Sequence, residues 1–552
     1  AWRNELGYDL YTLKENGRYG TRTDAGQGIN GYAISNYGQT QNLVAKSYLD
    51  YNITIKEFGL SAVFGTEFQK TSVDNTWVDG QNFPTDDLKF LASAGKITSG
   101  SSSLTEYSFL SYFSRANLDY KSKYLATLAI RSDASSRFGA NKRRGWFPAL
   151  SAGWVASKED FWGKNNTFSF LKLRTSYGLT GNAGIGNFKH LGLFGVSPYN
   201  EEPGFVPTQI QNEDLGWEST RQIDFGIDFG FFDNRISGEV DYYHKYTKDL
   251  LLDVPIPATT GYSIQTRNIG SVENKGFEFV LNTSNLTGKF KWNTNINFSI
   301  NKNKVTDLGG QDIIDPGSSR FMNVVKLGQP LGVFFGAEYA GVDPDNGDAL
   351  WYVNEQDANG KIVDPKATTS DFAEANFVVL GHPTPDYLYA MTNTLSFKGI
   401  ELAFTLQGVD GNSIHLAGDT YMASNAPWYD NQTTDQLDSW KKPGDKTDIP
   451  QARIGYSNGD QGRSSRFLST GSYLKLRSLT LGYDLPSGLV SKLKMSSIKV
   501  YMQGQNLLTF TKYKGWDPEV STDFAVDNVV SGVDFYSAPQ PRAITFGINL
   551  GL

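Results

Sequence analysis

Large apolar residues alternate with small or polar ones along most of this chain, and the stretch DFGIDFGFF at 224–232 shows the pattern most clearly. Phe225, Ile227, Phe229 and Phe231 share one parity; Asp224, Gly226, Asp228 and Gly230 share the other. A β-strand points successive side chains to opposite faces, so the segment predicts a strand with one apolar face and one of carboxylate and glycine. The same reading holds elsewhere. In KFKWNTNINFSINKN, Trp292, Thr294, Ile296, Phe298 and Ile300 oppose a row of Asn and Ser. Ile400, Leu402, Phe404 and Leu406 oppose Glu401, Ala403, Thr405 and Gln407, and Leu171, Leu173, Tyr177 and Leu179 oppose Lys172, Arg174, Ser176, Gly178 and Thr180. Phe58, Leu60, Ala62, Phe64 and Phe68 form another face. Period two dominates, helical periodicity is nearly absent, and roughly 16 to 18 strand-like segments are expected.

The connections come in two kinds. Lys121-Ser122-Lys123, Asp233-Asn234, Lys398-Gly399 and Ser284 to Gly288 read as tight turns, while 70–105, 181–215, 249–272, 303–330, 411–470 and 512–541 read as long polar loops. In an up-and-down meander, alternation of the two kinds puts all short turns at one rim and all long loops at the other. Strands of about 10 to 14 residues are longer than those of soluble sheets and suit a tilted membrane span. Trp146, Phe147, Trp154, Tyr242 and Tyr243 stand near strand ends, where interfacial aromatics belong. The expected fold is therefore all-β: a large transmembrane antiparallel β-barrel, with the apolar face toward lipid and the polar face toward a watery lumen.

Composition narrows the picture. The chain has 552 residues, 14% of them aromatic, no cysteine and a net charge of −7. No run of about 18 apolar residues predicts a transmembrane helix. An acidic balance makes nucleic acid an unsuitable partner, and the lack of cysteine removes thiol catalysis, thiolate zinc sites and disulfides.

Several stretches resemble the SusC/RagA family of TonB-dependent outer-membrane transporters of Bacteroidetes. They include KYLATLAIRSDASSRFGANKRRGWFPALSAGW (123–154), LKLRTSYGLTGNAGIGNF (171–188), LGWESTRQIDFGIDFGFFDNRISGEVDYYHKYTKDLLLDVPIPATTGY (215–262) and NIGSVENKGFEFVL (268–281). GVDPDNGDALWY (341–352), LGHPTPDYLYAMTNTLSFKGIELAFTLQGVDGN (380–412), YLKLRSLTLGYDLP (473–486) and VYMQGQNLLTFTKYKGWDPEV (500–520) follow in family order. The resemblance implies a barrel of about 22 strands, of which this chain supplies most. It implies that 1–552 is the C-terminal barrel part, with the plug domain and TonB box upstream of Ala1. It further implies active import of oligosaccharides or oligopeptides from the outer membrane, with a SusD-like surface lipoprotein and the TonB–ExbB–ExbD complex as partners, lipid and lipopolysaccharide around the barrel, long loops extracellular and short turns periplasmic. The family often ends on an aromatic residue; here the last alternation, Ile544, Phe546, Ile548, Leu550, Leu552, keeps an apolar residue there. The alternative is a passive pore, or a structural barrel that scaffolds surface proteins.

Residues for chemistry are few. His190, His244, His382 and His415 are far apart and form no HxxxH pair, so no zinc site is expected. GNAGIGNF (181–188) lacks the following helix of a phosphate loop and reads as a flexible connection. With no nucleophile elbow either, no catalytic residue and no enzyme are expected. Asp343, Asp345 and Asp348 in the DPDNGD string offer alternate carboxylates around a glycine turn, a weak Ca²⁺ candidate that lacks the downstream bidentate Glu; no other cofactor is expected. Trp77, Trp351, Trp428, Tyr429 and Trp440 read as loop aromatics; of these, Trp428 and Tyr429 are the candidates to touch substrate, because aromatic faces stack on sugar rings and anchor peptides.

Overall fold

The computed structural model describes residues 1–163, 167–200, 202–316, 321–358, 360–424, 430–521 and 529–551. Sixteen strands form one sheet in which each lies beside the next in the chain. They are β1 (Trp2–Tyr19), β2 (Tyr32–Ile55), β3 (Phe58–Gln81), β4 (Lys96–Tyr120), β5 (Tyr124–Ser135), β6 (Arg144–Trp154), β7 (Phe168–Asn182) and β8 (Glu218–Phe231). The rest are β9 (Ile236–Lys248), β10 (Ser271–Thr287), β11 (Phe290–Asp307), β12 (Tyr387–Phe397), β13 (Ile400–Asp410), β14 (Tyr473–Asp484), β15 (Ser497–Thr511) and β16 (Ala543–Gly551). Among the described residues no helix is long and apolar enough to cross a membrane. The chain divides into two units, one of residues 1–154, 175–222 and 247–269, the other of 155–174, 223–246 and 270–552.

In the second unit the register turns the alternation into rows. Leu286, Trp292, Leu395, Leu402, Leu481, Met502 and Phe546 are consecutive cross-strand partners from β10 to β16. The parallel row on the other face reads Ser284, Asn293, Thr394, Ala403, Thr480, Gln503 and Thr545. A continuous apolar surface backed by amides and hydroxyls is what lipid on one side and water on the other select. The opening stretch obeys the same rule: Phe225 and Ile227 are exposed, whereas Gly226 and Gly230 are buried.

The turns fall as expected, with one shift. Lys398 and Gly399 carry φ of 49° and 85°, the left-handed pair of a two-residue hairpin turn. The β10–β11 turn is only residues 288–289, because Ser284 to Thr287 continue the strand through a bulge. Longer connections, up to the 79 residues of 308–386, alternate with shorter ones along the chain, with one exception: the 8-residue connection 136–143 is shorter than the 13-residue connection 155–167 that follows it.

Three expectations are corrected. The loop read at 70–105 shrinks to 82–95, since β3 and β4 pair through Asp74–Leu104 and on to Gln81–Lys96. A strand of 24 residues spans roughly 80 Å, far more than a bilayer core. Beyond the lipid both strand faces are wet, so polar sequence there hides a hairpin that backbone hydrogen bonds sustain; Trp77 accordingly lies in β3, not in a loop. The loop read at 303–330 runs instead from 308 to 386 and folds into small sheets (Ile313–Ile314, Asn323–Lys326, Val333–Gly336 and Val378–Gly381; Tyr339–Val342, Ala349–Tyr352 and Thr368–Thr369). Finally, the aromatic girdle obeys parity. Trp146 is exposed and Tyr242 meets Phe277 at 5.0 Å on the apolar face, but Phe147 packs on Trp217 and Tyr243 donates to Asn301 on the polar face.

In the first unit the loops are pinned by a buried aromatic centre. Trp217 sits 4.9 Å from Phe138 and 5.2 Å from Phe147, with Leu215 fully buried beside them in sequence. Arg137 donates Nε to Asn187 and Nη1 to the Ala183 carbonyl, and its guanidinium lies 3.9 Å from the Tyr107 ring centre. Arg137 is thereby the anchor of the GNAGIGNF loop, which is tied down rather than free.

Candidate functional site: the polar strand face and the rim loops

On the polar face of β7 to β9, alternation brings charges together. Asp228 accepts from Lys172 Nζ at 3.0 Å and Arg174 Nε at 2.8 Å, and Arg174 also reaches Asp241 at 2.6 Å and Glu239 at 3.3 Å. Sequence alternation placed these residues on one face; only the register shows that they grip one another across three strands. Farther along the sheet, on β10 and β11, amide side chains pair with one another on this face. Asn295 donates to Asn282, Asn297 to Asn295, and both Asn301 and Asn303 to Asn274.

A second charged centre ties the 512–542 connection to β14. Lys475 is almost wholly buried and donates to Asp517 and Glu519, each at 2.6 Å. Arg477 and Tyr473 also donate to Glu519, and Asp517 accepts the Gln540 amide at 3.1 Å. Burial pushes the Glu519 carboxyl up, but the Arg477, Lys475 and Tyr473 donors outweigh it and hold it at about 2. No short-range sequence signal marks this cluster, since Lys475 and Asp517 are 42 residues apart.

The long connections of the second unit share a packed core. Phe334, Trp351 and His415 are at most 1% exposed, and a strand at Ser413–Leu416 pairs with Leu468–Thr470 and, in parallel, with Val533–Asp534. His415 is kept neutral: burial drops it to about 4, despite the Gly462 carbonyl that Nε2 meets at 3.1 Å. Trp351 and Trp440 are loop-packing residues, the second donating Nε1 to the Pro344 carbonyl and covering Gly347. A Cβ on Gly347 would come within 2.5 Å of the Trp440 ring, and its φ of +77° also demands glycine.

The sequence-derived site residues fare differently. Trp428 and Tyr429 lie outside the described residues. Asp343, Asp345 and Asp348 do share a turn: Asp343 accepts the Asp345 amide at 2.9 Å, while Asp348 accepts Asn346 Nδ2 and pairs with Arg453 at 2.6 Å. Among the described residues no three His, Asp or Glu side chains gather as ligands of one cation. His190, His244, His382 and His415 each bond separately, to the Arg137 carbonyl, Glu273, the Thr384 carbonyl and the Gly462 carbonyl. What sequence reading missed is a cleft of about 550 Å³ among the loops, lined by Tyr339, Asp419, Asp435, Asp448, Arg466 and Lys514 together with apolar neighbours. These residues are scattered over 176 positions (339 to 514), and no local pattern links them.

A sheet with one lipid-compatible face, one polar face, short turns at one edge and folded loops at the other defines a bacterial outer-membrane β-barrel. Residues 1–507 match the model of the TonB dependent receptor-like β-barrel, and the chain belongs to that family, which is non-enzymatic. It is 34% identical over 547 residues to TonB-dependent receptor P3 of Formosa agariphila, covering 95% of this chain and 54% of that protein. It is 31% identical over 471 residues to TonB-dependent receptor SusC of Bacteroides thetaiotaomicron, covering 81% of this chain and 44% of that protein. The solved RagAB peptide transporter superposes with a TM-score of 0.86 at 28% identity, over all of this chain and 60% of its counterpart. The chain thus spans about half the length of the curated relatives it matches.

Proposed function

We propose that this barrel belongs to an active importer that carries oligosaccharides or oligopeptides across the outer membrane, energised through TonB and served by a SusD-like lipoprotein over the long-loop rim. The observation that carries the reading is the combination of a polar inner wall with rim loops folded around their own core. A scaffold needs no polar wall, and a passive pore needs no elaborated rim. Likeness to SusC and to the RagAB peptide transporter supports the same view. The family's plug and TonB box, expected ahead of the barrel, would couple the inner-membrane gradient to passage.

The test is uptake by cells that produce the complete protein. Uptake of its cargo is expected to vanish when TonB is deleted and to return on complementation; uptake that persists without TonB would make the barrel a passive pore. Sidedness is tested separately. Cysteine placed at exposed Lys442, in the 411–472 connection, should react with an impermeant maleimide on intact cells, whereas cysteine at Asn234, in the β8–β9 turn, should not. The chain has no native cysteine to interfere.

A further inference from the structure

On the outward face of β10 and β11 the apolar ladder ends in charge at the long-loop rim. Leu281 faces Ile296, Phe279 faces Phe298 and Phe277 faces Ile300; the next pairs on the same side are Lys275–Lys302 and Glu273–Lys304. From Leu286, beside the short turn, to Phe277 the strand runs about 30 Å, which the tilt of a barrel strand brings to about the height of the apolar band. Tyr242, 5.0 Å from Phe277, and Tyr387, opposite Ile300 and stacked 6.1 Å from Phe298, mark the upper edge of that band, as interfacial aromatics do. Lys275, Lys302 and Lys304 therefore leave the sheet on its lipid side, at the level where headgroups begin, and all three are exposed.

This cluster is short of anions. Lys275 and Lys302 are direct cross-strand partners, an arrangement in which like charges repel. Glu273, the one carboxylate among the four residues, is held by His244 at 2.8 Å and meets Lys275 only at 3.5 Å. Among the described residues the ammonium groups of Lys302 and Lys304 have no ion-pair or hydrogen-bond partner. Asp410, two strands away and opposite Tyr387, already accepts from Ser472 at 2.6 Å. The chain as a whole carries a net charge of −7, so this local excess of cations runs against its composition.

We propose that Lys275, Lys302 and Lys304 hold the phosphate of a phosphorylated glycolipid of the outer leaflet, lipopolysaccharide, against the outside of the barrel. A phosphate offers several acceptor oxygens and the missing negative charge to three ammonium groups at once. The acyl chains of the same lipid lie along Phe277, Phe279 and Ile300 just below, so one molecule satisfies both the charge and the apolar surface beneath it. Position decides the source of the anion. Cargo in the lumen meets the other side of the sheet, where Asn274, Asn301 and Asn303 bond one another, and an inner-leaflet phospholipid lies at the short-turn rim. The site rests on the long-loop rim facing the cell surface and is independent of which cargo the barrel imports.

The test uses the complete protein purified from outer membranes in mild detergent. Beside the parent stand the triple variant Lys275→Gln, Lys302→Gln, Lys304→Gln and a charge-matched control, Lys441→Gln, Lys442→Gln, Lys446→Gln, at exposed positions of the 411–472 connection. Native mass spectrometry should show lipopolysaccharide on the parent and the control, and at least fivefold less on the triple variant. Titrated into delipidated parent, monophosphoryl lipid A should bind at least tenfold more tightly than the same lipid without its phosphate. Inorganic phosphate in tenfold molar excess should not displace it. The delipidated triple variant should unfold no earlier than the delipidated parent, because it removes a repelling pair; that separates lost binding from lost folding. Equal lipid on the parent and the triple variant, an equal loss from the control, no binding of monophosphoryl lipid A, binding indifferent to the phosphate, or displacement by inorganic phosphate would each overturn the proposal.

Discussion

Replacing Lys475 with methionine is expected to destabilise the second unit by about 3–5 kcal/mol, the cost of stripping a buried charge cluster of one partner. The lysine side chain is 2% exposed and Asp517 is 7% exposed, so water cannot take over the task of neutralising Asp517 and Glu519. Arg477 still reaches Glu519, but among the described residues Asp517 keeps only amide donors. The first visible consequence should be release of the 512–542 connection, whose link to β14 runs through this cluster. Limited trypsin digestion in detergent should then cut near exposed Lys512 and Lys514 at protein concentrations where the parent is intact. Adding Asp517→Asn and Glu519→Gln to the variant should recover most of the loss, since a neutral cluster has no charge to strand. The pH dependence has a definite sign. Glu519 is held at about 2, below its unfolded value near 4.3, so its contribution is complete above the unfolded value and fades as pH falls toward 2. A variant that resists trypsin as the parent does would show that the connection is held by other contacts.

The second large effect concerns the two faces of β8. Ile227→Lys should cost about 2–4 kcal/mol, as a lysine does at mid-membrane on a barrel's lipid face, read as a lower urea midpoint in refolding from lipid vesicles. Its neighbour Asp228 is not the mild site that alternation alone predicts. Because Asp228 bridges Lys172 and Arg174, Asp228→Asn should cost about 1–3 kcal/mol for two charge-assisted bonds. Asp228→Lys would put three cations side by side and should do worse. The two variants separate by their remedies. Lys172→Met should relieve Asp228→Lys in part, and should do nothing for Ile227→Lys. If Lys172→Met rescued Ile227→Lys instead, the strand would be turned over by one residue, since a one-residue slip exchanges the faces.

Much of this protein is legible from alternation because each strand residue reports what lies beside it. Leu402 between Leu395 and Leu481, with Ala403 between Thr394 and Thr480, would be equally apparent from any one of the three strands. Turn chemistry adds the rims: Lys398-Gly399 and Asp233-Asn234 carry the left-handed residues that a tight hairpin needs. The family is readable for the same reason, since long stretches in fixed order retain the strand pattern and its turns.

The loops defeat such reading. Residues 70–81 and 96–105 look like loop because they are polar on both sides, although their backbone hydrogen bonds continue β3 and β4 above the lipid. Within 308–386, 411–472 and 512–542, strands are as short as two residues, too short for periodicity to register. Their partners are also remote, as where Asn323 bonds the Ser531 carbonyl 208 positions away.

The sequence by itself determined the two-faced sheet, the alternation of short turns and long connections, the absence of an apolar helix and the kinship with TonB-dependent receptors. These depend on which solvent each residue meets, and that is encoded position by position. Tertiary structure alone decided that Lys475 clasps Asp517 and Glu519, and that Asp228 is committed to Lys172 and Arg174. Such facts depend on which distant segments meet, and a charge gives no sign in sequence of whether its neighbour in space will be water, lipid or a counter-ion.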